Sequence, residues 1–212
     1  MEEVSCPACH TKNDRITLRV PDRFHPAQGE PYTLRTCRKC ALIYLSPRPA
    51  EAHSGAFYEN DEYSPFSSTK SEKSVLDKIY DRIRKYNNRW KRRLIERMCT
   101  RKGRLLDIGC GTGEFLAEMA QAGWQVRGVE RDARAAAYAV EQLRVNVVRG
   151  TLESMPSVPA TYQVVTMWHV LEHLYNPHKT LMQIRDLLKK DGLLVIAVPN
   201  ANSLDAKFYK QN

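Results

Sequence analysis

Four cysteines fall in two pairs, Cys6-Pro-Ala-Cys9 and Cys37-Arg-Lys-Cys40, with 27 residues between the pairs. Each Cys-x-x-Cys turn offers two thiolates to one ion, and four thiolates suit tetrahedral zinc. Four protein ligands leave no open position, so the predicted metal is structural. The residues between the pairs hold little that could build a core. Pro21, Pro26, Gly29 and Pro31 break short strand-like pieces such as Ile16–Val20. So small a module relies on its metal to stay folded. No strand–helix context surrounds either pair, which argues against a redox dithiol. His10, beside Cys9, is the one alternative ligand.

The second set of chemical residues lies in Asp107-Ile-Gly-Cys-Gly-Thr-Gly113, followed by Glu114. Three glycines at alternate positions make a turn that lets a ligand approach the backbone. A dinucleotide fingerprint spaces its glycines G-x-G-x-x-G and offers a helix N-terminus to pyrophosphate. Here the spacing is G-x-G-x-G. Glu114 at the helix start suits the helix dipole but repels a phosphate, and Asp107 adds a carboxylate at the strand end. An acidic, glycine-lined site suits a ligand that carries a sulfonium and an ammonium but no phosphate. A third set, His169-Val-Leu-Glu172-His173, joins imidazoles to a carboxylate and could move a proton near neutral pH.

These residues require particular elements to position them. Leu105, Leu106 and Ile108 read as a buried strand, and Glu114–Ala122 reads as a helix capped by Gly123. Gln125–Glu130 is a second buried strand, ending in an acid whose two oxygens match a ribose diol. Asp132 caps a helix over 133–143. Val145–Arg149 is a third strand, leading into Thr151 and Leu152. Tyr162–Trp168 is a fourth, running into His169, where His169 and Glu172 are spaced to begin a helix. A helix over about 178–189 ends at Gly192, and the apolar run Leu193–Val198 is a fifth strand buried on both faces.

The glycine motif from Asp107 to Gly113 resembles that of class I S-adenosylmethionine (SAM) methyltransferases. The combination of Trp168-His-Val-Leu-Glu-His-Leu174 with Asp191-Gly192 and Pro199-Asn200 is similar to bacterial small-molecule methyltransferases, including quinone O-methyltransferases. With the four cysteines in front, the chain resembles the zinc-ribbon-bearing group that includes deoxysugar C-methyltransferases. The resemblance covers Cys6 to Asn200. It implies a doubly wound, Rossmann-like α/β sheet of order 3-2-1-4-5, preceded by a small zinc ribbon. It implies SAM held by Asp107, Gly109, Cys110, Gly111, Gly113, Glu130, Arg131, Trp168 and His169, with Glu130 on the ribose and Thr151 and Leu152 along the adenine. Tyr58 and Tyr63 are candidates to cover the cofactor or the acceptor. The fourth strand's end faces the methyl group in this fold, making His169, Glu172 and His173 the catalytic candidates. His173 and Glu172 are as well suited to capping or packing, and His169 to serving the cofactor through its backbone.

The resemblance specifies the cofactor better than the acceptor. A small molecule, such as a nucleotide-linked sugar, is the leading expectation. RNA gripped by the ribbon and a basic helix is the alternative, and a SAM-binding protein without catalysis is another. The formal net charge of +9 bears on this choice. Residues 70–104 hold 14 lysines and arginines against four acids, whereas the rest of the chain nets −1. The ribbon is not especially basic, and aromatics do not interleave with its cations as a stacking platform requires.

Within that basic stretch Val75, Leu76, Ile79, Ile83, Tyr86, Trp90, Leu94 and Met98 recur at helical spacing. They predict an amphipathic helix over 71–98, broken near Asn87-Asn88, with this stripe on the catalytic domain and the basic run in solvent. The expected organisation is a ribbon over 1–48, a linker over 49–70, the basic helix over 71–101 and the SAM-binding domain over 102–212. No apolar run approaches a membrane span, and Met1–Val4 lacks signal-peptide character. The chain reads as cytoplasmic, which favours metal over disulfides for its cysteines. In the family the chain continues past a fifth strand to a sixth and seventh, so the sheet is expected to be C-terminally incomplete and the chain a fragment.

Overall fold

Residues 104–198 alternate apolar strands with short helices, the sequence pattern that builds a parallel sheet covered by helices. The computed structural model describes residues 1–22, 31–53, 75–156, 158–204 and 208. Tyr58 and Tyr63 lie outside them. Contacts divide the described residues into two compact units.

The smaller unit is an antiparallel sheet of β1 (Asp14–Val20), β2 (Tyr32–Cys37) and β3 (Ile43–Leu45), in that order. The middle strand pairs Asp14 with Cys37 at one edge and Thr36 with Ile43 at the other. Among the described residues its buried apolar cluster is Cys6, Cys37 and Tyr44, with Val4 and Cys9 packed against them. Tyr44 donates to Asp14 Oδ2 (2.6 Å) and Arg35 to Asp14 Oδ1 (2.9 Å). These two donors, Tyr44 first, hold the Asp14 carboxyl below its ordinary range.

The larger unit runs α1 (Val75–Met98), β4 (Arg104–Ile108), α2 (Glu114–Gln121), β5 (Gln125–Glu130), α3 (Ala133–Glu141), β6 (Val147–Arg149), β7 (Tyr162–Trp168), α4 (Pro177–Leu187) and β8 (Leu188–Ala197). Its sheet has the order β6-β5-β4-β7-β8, all parallel. This is the expected 3-2-1-4-5 arrangement. The strand order reverses between β4 and β7, and the crevice at their C-terminal ends is where such sheets bind ligands. β7 is buried along nearly its whole length. Leu105, Leu116, Met119, Trp124, Val164 and Ile95 form the core beneath α1 and α2. Gly123 leaves α2 at φ 89°, as a glycine beyond a helix C-terminus does. Asp132 Oδ1 accepts from the backbone N–H groups of Arg134 and Ala135, so the expected cap of α3 forms.

Several expectations change. The third strand is shorter, starting at Val147, because Val145 drops into the core instead. Gly192 does not end α4. The chain turns straight from Leu187 into β8, and Lys189–Gly192 form an irregularity between the pairs Tyr162–Leu188 and Val164–Leu193. β8 is not buried on both faces: Leu193–Val195 are half-buried and Ile196 is 36% exposed. Its apolar run fits a central strand, but among the described residues it pairs only with β7.

The largest correction concerns α1. It is one unbroken helix across Asn87 and Asn88. Its inward residues are Asp77, Asp81, Arg84, Asn88, Lys91, Arg92 and Ile95, spaced as one helical face. Most of the stripe expected inside points outward: Ile79, Ile83, Trp90 and Met98 are each at least half exposed and Tyr86 is 68% exposed, while Leu94 is half-buried and the side chains of Val75 and Leu76 lie outside the described residues. Ile95 enters the core at 0% exposure. Arg92 Nε donates to Glu118 Oε1 (2.8 Å), and Arg84 lies 3.5 Å from Glu114 Oε1. α1 thus docks on α2 through ion pairs and one deep isoleucine.

Candidate functional site

The glycine turn leaves β4 beneath the end of β5. Gly109 N–H and Cys110 N–H both donate to Val129 O, at 2.8 and 3.2 Å. Gly109 has φ 68°, and a Cβ there would sit 2.5 Å from Val170 Cγ2. Any other residue there would be strained by the left-handed backbone and would have to displace the Val170 side chain. Gly111 has φ 55° and differs in one respect, since a Cβ built on it would meet nothing within 4 Å. The turn therefore presents bare backbone to open space at Gly111. Gly113 completes the turn where α2 begins.

Glu130, at the end of β5, ties the site together. Its Oε2 accepts from Gly111 N–H (2.7 Å) and its Oε1 from Asp132 N–H (2.9 Å). Each carboxylate oxygen keeps a second lone pair, so the pair can still accept two hydroxyls. Arg131 and Thr151 are exposed beside it. Leu152 is only 7% exposed, in a one-turn 3₁₀ segment over Leu152–Ser154. It belongs to the core, so Thr151 is the exposed member of the pair expected along an adenine.

Asp107 does not face the ligand openly as the sequence suggested. It is 2% exposed, pairs in register with Thr166 across the β4–β7 switch, and accepts from Thr166 Oγ1 at 2.6 Å. Burial pushes its carboxyl up to about 7, against the opposing effects of the Thr166 hydroxyl and the nearby Lys91 ammonium. Cys110 is half-buried with its sulfur against the face of Gly128, a packing role. Burial, then Asp107 and Glu130, push its thiol well above the ordinary range.

Lys91 is the residue that sequence reasoning missed. Its Nζ lies 4.3 Å from the Trp168 ring centroid and 5.8 Å from that of Phe115. The two rings meet edge to face at 5.5 Å. Among the described residues no carboxylate lies within ion-pair distance of this ammonium, and burial lowers its pKa. A cation held on two aromatic faces near the buried Asp107 carboxyl gives the acidic site a counter-charge. The signal was its place on the helix: Lys91 falls opposite the apolar stripe, on the row of Arg84 and Ile95.

Asp107, Gly111, Glu130, Lys91 and Trp168 thus converge at the C-terminal edge of β4, β5 and β7. A methyltransferase-domain model matches residues 80–212, more than half of the chain. The chain belongs to the methyltransferase-domain family. Its curated relatives include the ubiquinone biosynthesis O-methyltransferase of Maricaulis maris. That protein is 36% identical over 106 residues, covering 47% of this chain and 42% of the relative. The mitochondrial ubiquinone biosynthesis O-methyltransferase of Schizosaccharomyces pombe is 32% identical over 110 residues, covering 48% and 40%. The chain spans less than half the length of these relatives. Among solved structures, the PH0226 protein from Pyrococcus horikoshii superposes with a TM-score of 0.50 at 18% identity, over 66% of this chain and 64% of that one. That likeness concerns the fold alone.

The residues present suit the family's methyl donor. Open backbone at Gly111, the free lone pairs of Glu130 and Lys91, which has no carboxylate at ion-pair distance among the described residues, match a ligand with a diol, a cationic centre and a carboxylate. The family's proton-transfer candidates are less committed. His169 is held at φ 59° with its N–H donating to Ala197 O (2.9 Å), and its Nδ1 lies 3.4 Å from Glu172 Oε1. Leu171–His173 is a 3₁₀ turn and not the start of an α-helix, because the backbone of His169 has left-handed geometry just before it. Glu172 and His173 are exposed there. Left-handed geometry at a non-glycine residue costs about 1–3 kcal/mol and is often kept for a site.

In the smaller unit the four cysteine sulfurs lie within 4.8 Å of one another. Cys6–Cys40 and Cys9–Cys37 approach to 3.5 Å and Cys9–Cys40 to 3.6 Å. Each pair sits on a turn of one form: His10 N–H donates to Cys6 O (2.8 Å) and Ala41 N–H to Cys37 O (3.0 Å), with φ 58° and 61° at His10 and Ala41. Two matched turns presenting four sulfurs to one point suit a single tetrahedral dication. His10 is outside this group.

Proposed function

We propose that the chain carries out SAM-dependent methyl transfer to a small-molecule acceptor. The observation that carries this reading is the Glu130 carboxylate, fixed by Gly111 and Asp132 at the end of β5 with lone pairs to spare. Bound SAM supplies a methyl carbon already activated by its sulfonium. Glu130 holds the ribose, and the bare backbone at Gly111 admits the ligand. Lys91 gives the site a cation suited to the methionine carboxylate. Asp107 and Thr166 join the two strands on which the donor rests, and Thr151 lies along the adenine. His169, oriented by Glu172, is the group placed to take a proton from an acceptor. The same reading gives the four cysteines one structural zinc ion.

A phenolic or enolic acceptor is the chemistry favoured by the quinone O-methyltransferase relatives. The ribbon over 1–48 carries a net charge of only +3, eight lysines and arginines against five acids, which favours a small acceptor over RNA. Incubating the full chain with labelled SAM and a metabolite extract tests this. Label should enter small molecules and be unaffected by ribonuclease; ribonuclease-sensitive label would shift the reading to RNA. Glu130→Ala should weaken SAM binding by roughly 1.5–3 kcal/mol, the scale of hydrogen bonds to a charged group. Unchanged affinity in that variant would refute the ribose role.

A further inference from the structure

We infer that α1 is a membrane-docking helix whose outward face lies on an anionic lipid surface. Its exposed centre is Ile79, Ile83, Tyr86 and Trp90, at 50%, 58%, 68% and 51% exposure, with Tyr80 beside them at 70%. The spacing places Ile79, Ile83, Tyr86 and Trp90 on one stripe opposite Asn88 and Ile95, with Tyr80 to one side of it. Arg82, Lys85, Arg89 and Arg93 are exposed along one flank of the stripe. Single exposed apolar residues are ordinary, but a continuous stripe along about three turns of helix is not. Aliphatic and aromatic side chains beside a row of cations describe a helix that lies in a lipid interface. The aromatics belong at headgroup level and the cations pair with anionic lipid. Among the described residues no helix is long and apolar enough to cross a membrane, so the surface is one for lying on the bilayer.

Charge selects this occupant over two others. A second copy paired antiparallel would bring both basic flanks to the same side, within segments that each carry a net +10. A nucleic acid would meet the cations on the flank and could stack a base on Tyr86 or Trp90, but it would leave Ile79 and Ile83 in water, where a lipid interface buries them. The flank of the same helix away from these arginines carries Lys91 to Trp168. Docking would therefore hold that cluster within about one helix diameter, ~10 Å, of the headgroups.

Flotation of the full chain with phosphatidylcholine vesicles, with and without phosphatidylglycerol, tests the inference. The chain should bind the anionic vesicles and release in high salt, with a blue shift in the emission of Trp90. The double variants Ile83→Ser/Trp90→Ser and Arg82→Glu/Arg89→Glu should each lose binding about tenfold or more. All four positions are solvent-exposed, so unchanged unfolding midpoints are expected. Three results would overturn it: no binding to anionic vesicles, binding that survives both variants, or self-association abolished by Ile83→Ser/Trp90→Ser. A short RNA that displaces the vesicles and needs only the arginines would also overturn it, in favour of nucleic acid.

Discussion

Cys37→Ser is expected to unfold the N-terminal sheet. Cys37 is 1% exposed at the end of β2, and its sulfur lies 3.5 Å from that of Cys9. Among the described residues the sheet has three buried apolar side chains, too small a core to hold it against chain entropy. A structural zinc ion contributes on the order of 10 kcal/mol, which is folding free energy in such a module. Elemental analysis should find close to one zinc per chain, and none in the variant. The variant's amide spectrum should lose the dispersed signals of β1–β3. Cys99→Ser, which alters a half-buried cysteine outside the cluster, should keep both the metal and the signals. Metal near zero in protein never exposed to chelator would contradict the assignment.

Asp107→Asn is expected to stabilise the ligand-free protein in a pH-dependent way. The folded pKa of Asp107, about 7, lies above the ordinary aspartate value because burial disfavours the charge. The group's contribution to stability is then fully present below about pH 4. It is lost as pH rises through 7, because the unfolded chain ionises first. Asparagine keeps an oxygen for the Thr166 hydroxyl and carries no charge. The variant's advantage should grow from near zero at pH 4 to roughly 2–4 kcal/mol above pH 8. Urea unfolding of both proteins across that range, followed by fluorescence of the buried Trp124, measures the difference directly. A difference that does not vary with pH, or a parent more stable at pH 8, would contradict it. A site that keeps a carboxylate at this cost in stability is keeping it for a ligand.

Much of the sheet was legible because its signals are local. The glycine turn, the Asp132 cap and the Gly123 stop each depend on residues within a few positions, and each appears where the sequence put it. The strand order followed from the resemblance, and the cysteine spacing led to four converging sulfurs. The failures share a cause. The apolar stripe of α1 specifies a helix but not which side meets the core. That was settled by Glu114 and Glu118, some 25–30 residues away, and by Ile95. The run Leu193–Val198 specifies a strand but not how many neighbours it has. His169 was placed in a helix by spacing, whereas its backbone geometry is fixed by the bond to Ala197. Lys91 was invisible for the same reason as the face of α1, since a lysine in a basic run looks solvated.

The central claim is that the crevice at the ends of β4, β5 and β7 is a SAM site. Calorimetric titration of the full chain with SAM and, separately, with NAD tests it most directly. Binding of SAM, with no heat from NAD under the same conditions, is the predicted result. Tight binding of NAD in preference to SAM would contradict it.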